Sequence, residues 1–229
     1  MTNAGTKLAL LGASGHGKSV ADVATAAGWK RVVFFDDAWP TRKMNGHWPV
    51  VGDTEALMVR LGEFDGVLVT IGNCAVRWQK QQALQAAGAP LTTIVHPGAH
   101  ISPFAKLGTG TVVMAAAAVN VDAVVGDAGI INTGATVDHD CVLAHGVHVS
   151  PGANLAGDVA VGACSWVGVG AAVRQGARIG AYAMVGAGAV VVKPVADGQT
   201  VVGNPAVPLV RRRLHDADVD VKHLFVEVN

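Results

Sequence analysis

Twelve consecutive residues, Val137 to His148 (VDHDCVLAHGVH), hold three of the chain's nine histidines and two aspartates. Imidazole titrates nearest neutrality of all side chains, and an adjacent carboxylate can orient it and stabilise its charged form. His139 followed by Asp140 is therefore a candidate general base with its helper. The same histidines also read as a metal set, which would require them to converge within about 2.1 Å of one zinc ion. A third reading is a solvated turn with ordinary turn residues. The elements that carry the segment decide among these.

From Ile101 to Val191 an aliphatic residue recurs every sixth position, sixteen times without insertion, and thirteen of the residues four places after each are Ala, Gly, Ser, Thr or Cys. Neither a 3.6-residue nor a 2-residue period sustains this pattern. It predicts a hexapeptide parallel β-helix: each hexad makes one face of a triangular prism, and three hexads make a coil. Residues eighteen apart then stack at the inter-strand spacing of about 4.8 Å. His139 and His145 fall near different edges, and His148 lies half a coil from His139. No metal is therefore expected within one chain. Cys141 points inward as a small filler, and Cys164 takes an outward position with no base beside it. One coil above His139 stands Gly157, whose unshielded N–H suits a carbonyl oxygen that becomes negative during acyl transfer. With no GxSxG and no reactive cysteine, the simplest chemistry is direct attack of a bound amine or hydroxyl on a thioester.

The first 93 residues alternate strand and helix signals, KLALLG, GKSVADVATAAG, RVVFFDD, DTEALMVRLG, GVLVTIG and AVRWQKQQALQAAG, which predict a small α/β βαβαβ unit of Rossmann type. Its first strand-to-helix loop is GASGHGKS (Gly12–Ser19), where glycines allow close backbone approach and a helix N-terminus favours phosphate. Asp36 and Asp37, about 20 residues further on, stand where a carboxylate commonly meets a ribose or base. The loop is expected to hold a nucleotide; the competing reading is a tight turn without ligand. The boundaries drawn are 1–93 for this domain, 94–213 for the β-helix and 214–229 for a C-terminal tail.

Seventeen basic and seventeen acidic residues cancel, so no broad electrostatic footprint for nucleic acid or anionic membrane is present. No apolar run reaches the roughly 18 residues needed to span a bilayer. Three well-separated cysteines suggest a reducing compartment, and the cytoplasm is the expected location.

The GASGHGK opening, the FDD, and INTGATVDHDCVLAHGVHVSPGANLAGDV within a hexapeptide helix resemble the sialic acid O-acetyltransferase-like sugar acyltransferases. The resemblance is to their branch of bacterial nucleotide-sugar 4-amino N-acetyltransferases, and it runs from residue 7 to about 213. It implies a left-handed coil and a homotrimer, with acetyl-CoA as co-substrate in the groove between two β-helices. The acceptor it implies is a UDP- or GDP-linked 4-amino-4,6-dideoxyhexose, with sugar O-acetylation of the sialic acid type as the alternative. His139 then matches the family's base and Asp140 the acid beside it. Gly157 matches the N–H that meets the thioester, and His148 and Asn132 match positions near the acetyl group and substrate. Ser14, Gly15, His16, Gly17 and Lys18 match the nucleotide loop, Asp36 and Asp37 the strand-end acids, and Gly72 and Asn73 the third-strand turn. The family's GxPAK ending appears as GNPAV, with Val207 in place of lysine; Arg211, Arg212 and Arg213 could substitute for it. The tail has no counterpart in the family.

Overall fold

The computed structural model describes residues 6–209; Arg211, Arg212, Arg213 and the tail lie outside them. The chain begins with β1 (Lys7–Leu11), α1 (Gly15–Ala26), β2 (Arg31–Phe35) and a small antiparallel pair, β3 (Met44–Asn45) with β4 (Trp48–Pro49). Next come α2 (Thr54–Val59), β5 (Gly66–Val69) and α3 (Cys74–Ala86). β1 lies between β2 and β5 in a three-stranded parallel sheet, as apolar strands joined by helical crossovers require. Asp53 caps α2 by accepting from the Ala56 N–H, and Asn73 caps α3 by accepting from the Val76 N–H. Ser14, which begins α1, makes no such side-chain bond, so among the described residues the first amides of α1 have no side-chain cap.

From Ile94 the chain winds into a β-helix of two-residue strands on three parallel faces. The first and longest face has eight strands, Ile94–Val95 to Val207–Pro208; the second has six, His100–Ile101 to Val190–Val191; the third has five, Lys106–Leu107 to Arg178–Ile179. The eighteen-residue stacking holds along the prism: Val119, Val137, Leu155, Val173 and Val191 form one buried column. Burial of each such Val or Leu contributes about 1.5–3 kcal/mol, which is why the register cannot slip. The wider valines at 147, 159 and 195 are buried as well, so the corner positions tolerate them. The hand is left, as the family resemblance implies. Near the C-terminal end the period shortens, with Met184 pairing Thr200, and the chain closes through an antiparallel return, Val201 opposite Pro208.

The α/β unit packs on the first face. Leu8, Leu10 and Val20 share one apolar cluster with Ile94, Val112, Met114 and Ile130. Trp78 of α3 stacks on His145 at 4.2 Å, so this histidine serves the junction between the two units. Cys164 is outward in register but buried beneath α3, its thiol 3.8 Å from the Cys74 carbonyl; docking of the helix covers what the hexad alone would leave exposed. Cys141 points into the prism, and burial pushes its thiol pKa up. Among the described residues no helix is long and apolar enough to cross a membrane.

Candidate active site

His139 stands at the corner where the second face (Thr136–Val137) turns into the third (Val142–Leu143). Turning that corner requires one residue in the left-handed region, and Asp140 takes it at φ +60. Aspartate tolerates this conformation better than most residues. The turn folds the Asp140 carboxylate back onto its neighbour, with Oδ2 2.7 Å from His139 Nδ1. A carboxylate only accepts, so the proton sits on Nδ1 and Nε2 keeps its lone pair. This hydrogen bond is the largest cause that raises the His139 pKa above the ordinary value; desolvation opposes it, and the charges of Asp138, Asp140 and Asp158 add to it.

Gly157 lies directly over the imidazole one coil above. A Cβ there would overlap His139 Cε1 and Nε2, so any larger residue at this position would displace the ring. Among the described residues no protein acceptor takes the Gly157 N–H. Imidazole, orienting carboxylate and free N–H thus converge in one column, as the arithmetic of eighteen predicts. The column continues past Gly157 to an open cleft of about 230 Å³ lined by Arg174, Gln175, Gly176, Lys193 and Pro194.

Asn132 and His148 do not join this group within one chain. Both belong to the first face, across the prism from the His139 corner. Asn132 Nδ2 lies 3.1 Å from His148 Nε2, and the His148 ring packs against Trp166 at 4.5 Å. Burial, and then the charge of Arg77, push the His148 pKa down to about 3, so the ring is neutral. Among the described residues no group of three His, Cys, Asp or Glu side chains is placed to hold a metal ion.

A cleft of about 250 Å³ opens at the C-terminal edge of the parallel sheet, lined by Gly12, Ser14, Asp36, Asp37, Thr54, Ile71 and Lys80. Ligands of open α/β sheets bind at this edge. Several loop residues serve other ends than the sequence suggests. Asp36 already accepts from the Ala13 and Ala38 N–H groups, at 2.6 and 2.9 Å, and so shapes the loop. Asp37 accepts from the Thr54 N–H and from Lys80 Nζ; hydrogen bonding from Thr54 is the largest cause of its lowered pKa. Lys80 and Thr54 are lining residues that sequence reasoning missed, because the 43-residue separation of Lys80 from Asp37 leaves no local signal. Lys18 lies along Gly46 of the β3–β4 turn instead of facing the cleft. His16 turns toward the β-helix, its ring 6.1 Å from that of His148, and burial lowers its pKa to about 4. The Asn73 amide oxygen is committed to its cap, while the Gly72 carbonyl accepts from Arg77.

The glycines divide in the same way. A Cβ on Gly17 would collide with the Gly12 carbonyl and crowd Phe34 and Thr70, so Gly17 serves helix-on-strand packing; a Cβ on Gly15 would meet nothing within 4 Å. Gly17→Ala is expected to destabilise the protein by about 1–3 kcal/mol. Gly15→Ala should stay within about 0.5 kcal/mol of the parent. Urea unfolding of both variants checks the contrast, and equal costs would show that the packing assignment is wrong.

Comparison with known proteins agrees with this geometry. A family model described as the PglD N-terminal domain matches residues 7–84. The acetyltransferase domain of PglB from Neisseria gonorrhoeae FA1090, solved in complex with acetyl coenzyme A, is 45% identical, with a TM-score of 0.86 over 90% of this chain and 100% of that chain. PerB from Caulobacter crescentus, solved with CoA and GDP-perosamine, is 38% identical, with a TM-score of 0.84 over 90% of this chain and 98% of that chain. A UDP-N-acetylbacillosamine N-acetyltransferase from Bacillus subtilis (strain 168) is 37% identical over 111 residues, 47% of this chain, and the match spans about half (51%) of that relative's length. With a parallel α/β unit docked on a hexapeptide β-helix and near-complete coverage of two solved relatives, the chain belongs to the nucleotide-sugar N-acetyltransferase family of PglB and PerB.

Proposed function

We propose that this protein transfers the acetyl group of acetyl-CoA to the 4-amino group of a UDP- or GDP-linked 4-amino-4,6-dideoxyhexose, with His139 as general base. The single observation that carries the reading is the His139–Asp140 pair lying beneath the free N–H of Gly157. An amine is mostly protonated at neutral pH, so it first releases one proton to solvent; the free amine then attacks the thioester carbonyl while His139 Nε2 takes a second proton from the nitrogen. The C–N bond forms, the carbonyl oxygen becomes an oxyanion facing the Gly157 N–H, and collapse breaks the C–S bond. The imidazolium then protonates the departing thiolate, so the base returns to its starting state. Asp140 stabilises the imidazolium while it exists.

A homotrimer is the assembly this reading requires. Within one chain the nucleotide cleft belongs to the unit docked on the first face, whereas His139 stands across the prism. A neighbouring chain can bring a base corner to each cleft, and Asn132 and His148 would then line the acceptor side. The cleft between Arg174 and Lys193 supports a coenzyme lying along the base column. Arg174 stands about one coil (~5 Å) and Lys193 about two coils (~10 Å) beyond the Gly157 N–H, and no carboxylate pairs with either among the described residues. Replacing both Arg174 and Lys193 with Ala is expected to raise the acetyl-CoA KM about tenfold, the loss of roughly 1.4 kcal/mol of phosphate attraction. Steady-state kinetics should show kcat and the sugar KM unchanged; an unaltered acetyl-CoA KM would place the diphosphate elsewhere.

The function is tested by thiol release from acetyl-CoA, offering UDP- and GDP-linked 4-amino-4,6-dideoxy sugars alongside free sialic acid. Rapid release with one nucleotide amino sugar is the expected result. Release with sialic acid alone would replace N-acetylation with O-acetylation, and silence with all three in folded protein would retire the reading.

A further inference from the structure

Two buried ring nitrogens at the junction of the α/β unit and the β-helix, His16 Nε2 and His148 Nδ1, have no partner among the described residues. Backbone geometry fixes the proton on one of them. The Thr133 N–H donates to Asn132 Oδ1 at 2.8 Å, so the Asn132 atom facing His148 is Nδ2, 3.1 Å from its Nε2. An amide nitrogen only donates, so His148 Nε2 accepts. The ring is neutral, and its one proton therefore sits on Nδ1, the buried ring nitrogen without a partner among the described residues. Trp166 lies against the ring at 4.5 Å and is itself held by a bond from its Nε1 to Ser150 Oγ, which limits how far the imidazole can tilt.

The His16 and His148 ring centres are 6.1 Å apart. A direct N–H···N bond would need them about 1 Å closer, whereas a single water spans the gap. We propose that His16 is a positioning residue: through one bridging water its Nε2 accepts from His148 Nδ1–H, and this bond, together with the one from Asn132, holds the tautomer and aim of His148. The donors then run in one direction, from Asn132 Nδ2 to His148 Nε2 on one side and from His148 Nδ1 to the water and His16 on the other. His16 sits between Gly15 and Gly17 in the first turn of α1, so the chain ties the nucleotide loop to the acceptor-side pair. Its kinetic consequence rests on the function proposed above; its tautomer consequence does not.

The test uses the full-length protein labelled with ¹⁵N-histidine. Long-range ¹H–¹⁵N spectra should show His148 as the neutral Nδ1–H tautomer, and His16→Leu should convert it to a mixture. His16→Gln, whose amide oxygen can accept in place of Nε2, should restore the signature. In the kinetic arm His16→Leu is expected to lower kcat about tenfold with the sugar KM within about twofold, and His16→Gln to recover most of the loss. A merely structural role would lower Tm and leave tautomer and kcat alone. Finding His148 protonated on Nε2 in the parent, or unchanged in His16→Leu, overturns the proposal. A parent protein with no turnover overturns the N-acetyltransferase reading, and the spectra still decide this one.

Discussion

His139→Asn is expected to lower kcat by about 10²–10⁴-fold while both KM values stay within about threefold, the signature of a group whose contribution arises only in the transition state. Asparagine keeps a polar side chain of similar reach over Gly157 but offers no basic nitrogen. The pH dependence supplies an independent reading. The free imidazole is the active form, so the rate falls as pH drops through the His139 pKa. That pKa is raised, chiefly by the hydrogen bond to Asp140, so the acid limb of kcat should lie above the ordinary histidine range. Asp140→Asn removes the largest cause and should move the limb to lower pH, while the plateau falls about tenfold or more because the imidazolium loses its partner. Gly157→Ala should also lose activity, since the added methyl overlaps the ring it must sit beside. Stopped assays over the pH range, with isothermal titration of CoA and nucleotide sugar, separate these effects. A His139→Asn variant with full kcat would end the base assignment.

The stacking of Gly157 on His139 was legible because the β-helix turns sequence distance into spatial distance by one rule. Counting eighteen from His139 reaches Gly157, and the buried register from Val119 to Val191 shows why the count is reliable: each shift of one residue would expose an aliphatic column. No such rule links the two units. His16 reads as a loop residue next to glycines, and only the docking of α1 on the first face turns it toward His148. Lys18 was matched to the nucleotide loop by position alone, and helical periodicity carries it round to Gly46. Asp36 and Asp37 were placed at a strand end, yet their oxygens are engaged by the N–H groups of Ala13, Ala38 and Thr54 and by the Lys80 ammonium. Local pattern fixes which face a residue occupies; it is silent on what a second unit brings to that face.

Arg77 is the strongest case of that silence, and its removal should carry the largest stability effect. In sequence it is one cation in AVRWQKQQ, the kind of residue a solvated helix face carries. In the structure it is 1% exposed and spends its fork on four carbonyls: Nε donates to Ala128, Nη1 to Ile71 and Gly72, and Nη2 to Gly146. Two of these belong to the turn after β5 and two to corners of the β-helix, so one planar group joins both units where α3 begins. Burial is the chief cause that lowers its pKa, yet arginine starts so high that the charge persists. Arg77→Met keeps much of the volume and leaves four interior acceptors without donors, each worth about 1–3 kcal/mol if left dry. Partial hydration would return some of this, and a net loss on the order of 3–5 kcal/mol is expected. At roughly 2–4 °C per kcal/mol for a chain of this size, Tm should fall by about 10 °C. Arg77→Lys should fall between, since three donors on a point charge cannot reach four carbonyls set for a fork. Calorimetry gives the shift, and limited proteolysis gives its location: cleavage should rise between α3 and the first β-helix strand before the prism itself is cut. A Tm unchanged within about 2 °C would mean that water satisfies these carbonyls, and that the apolar cluster alone holds the units together.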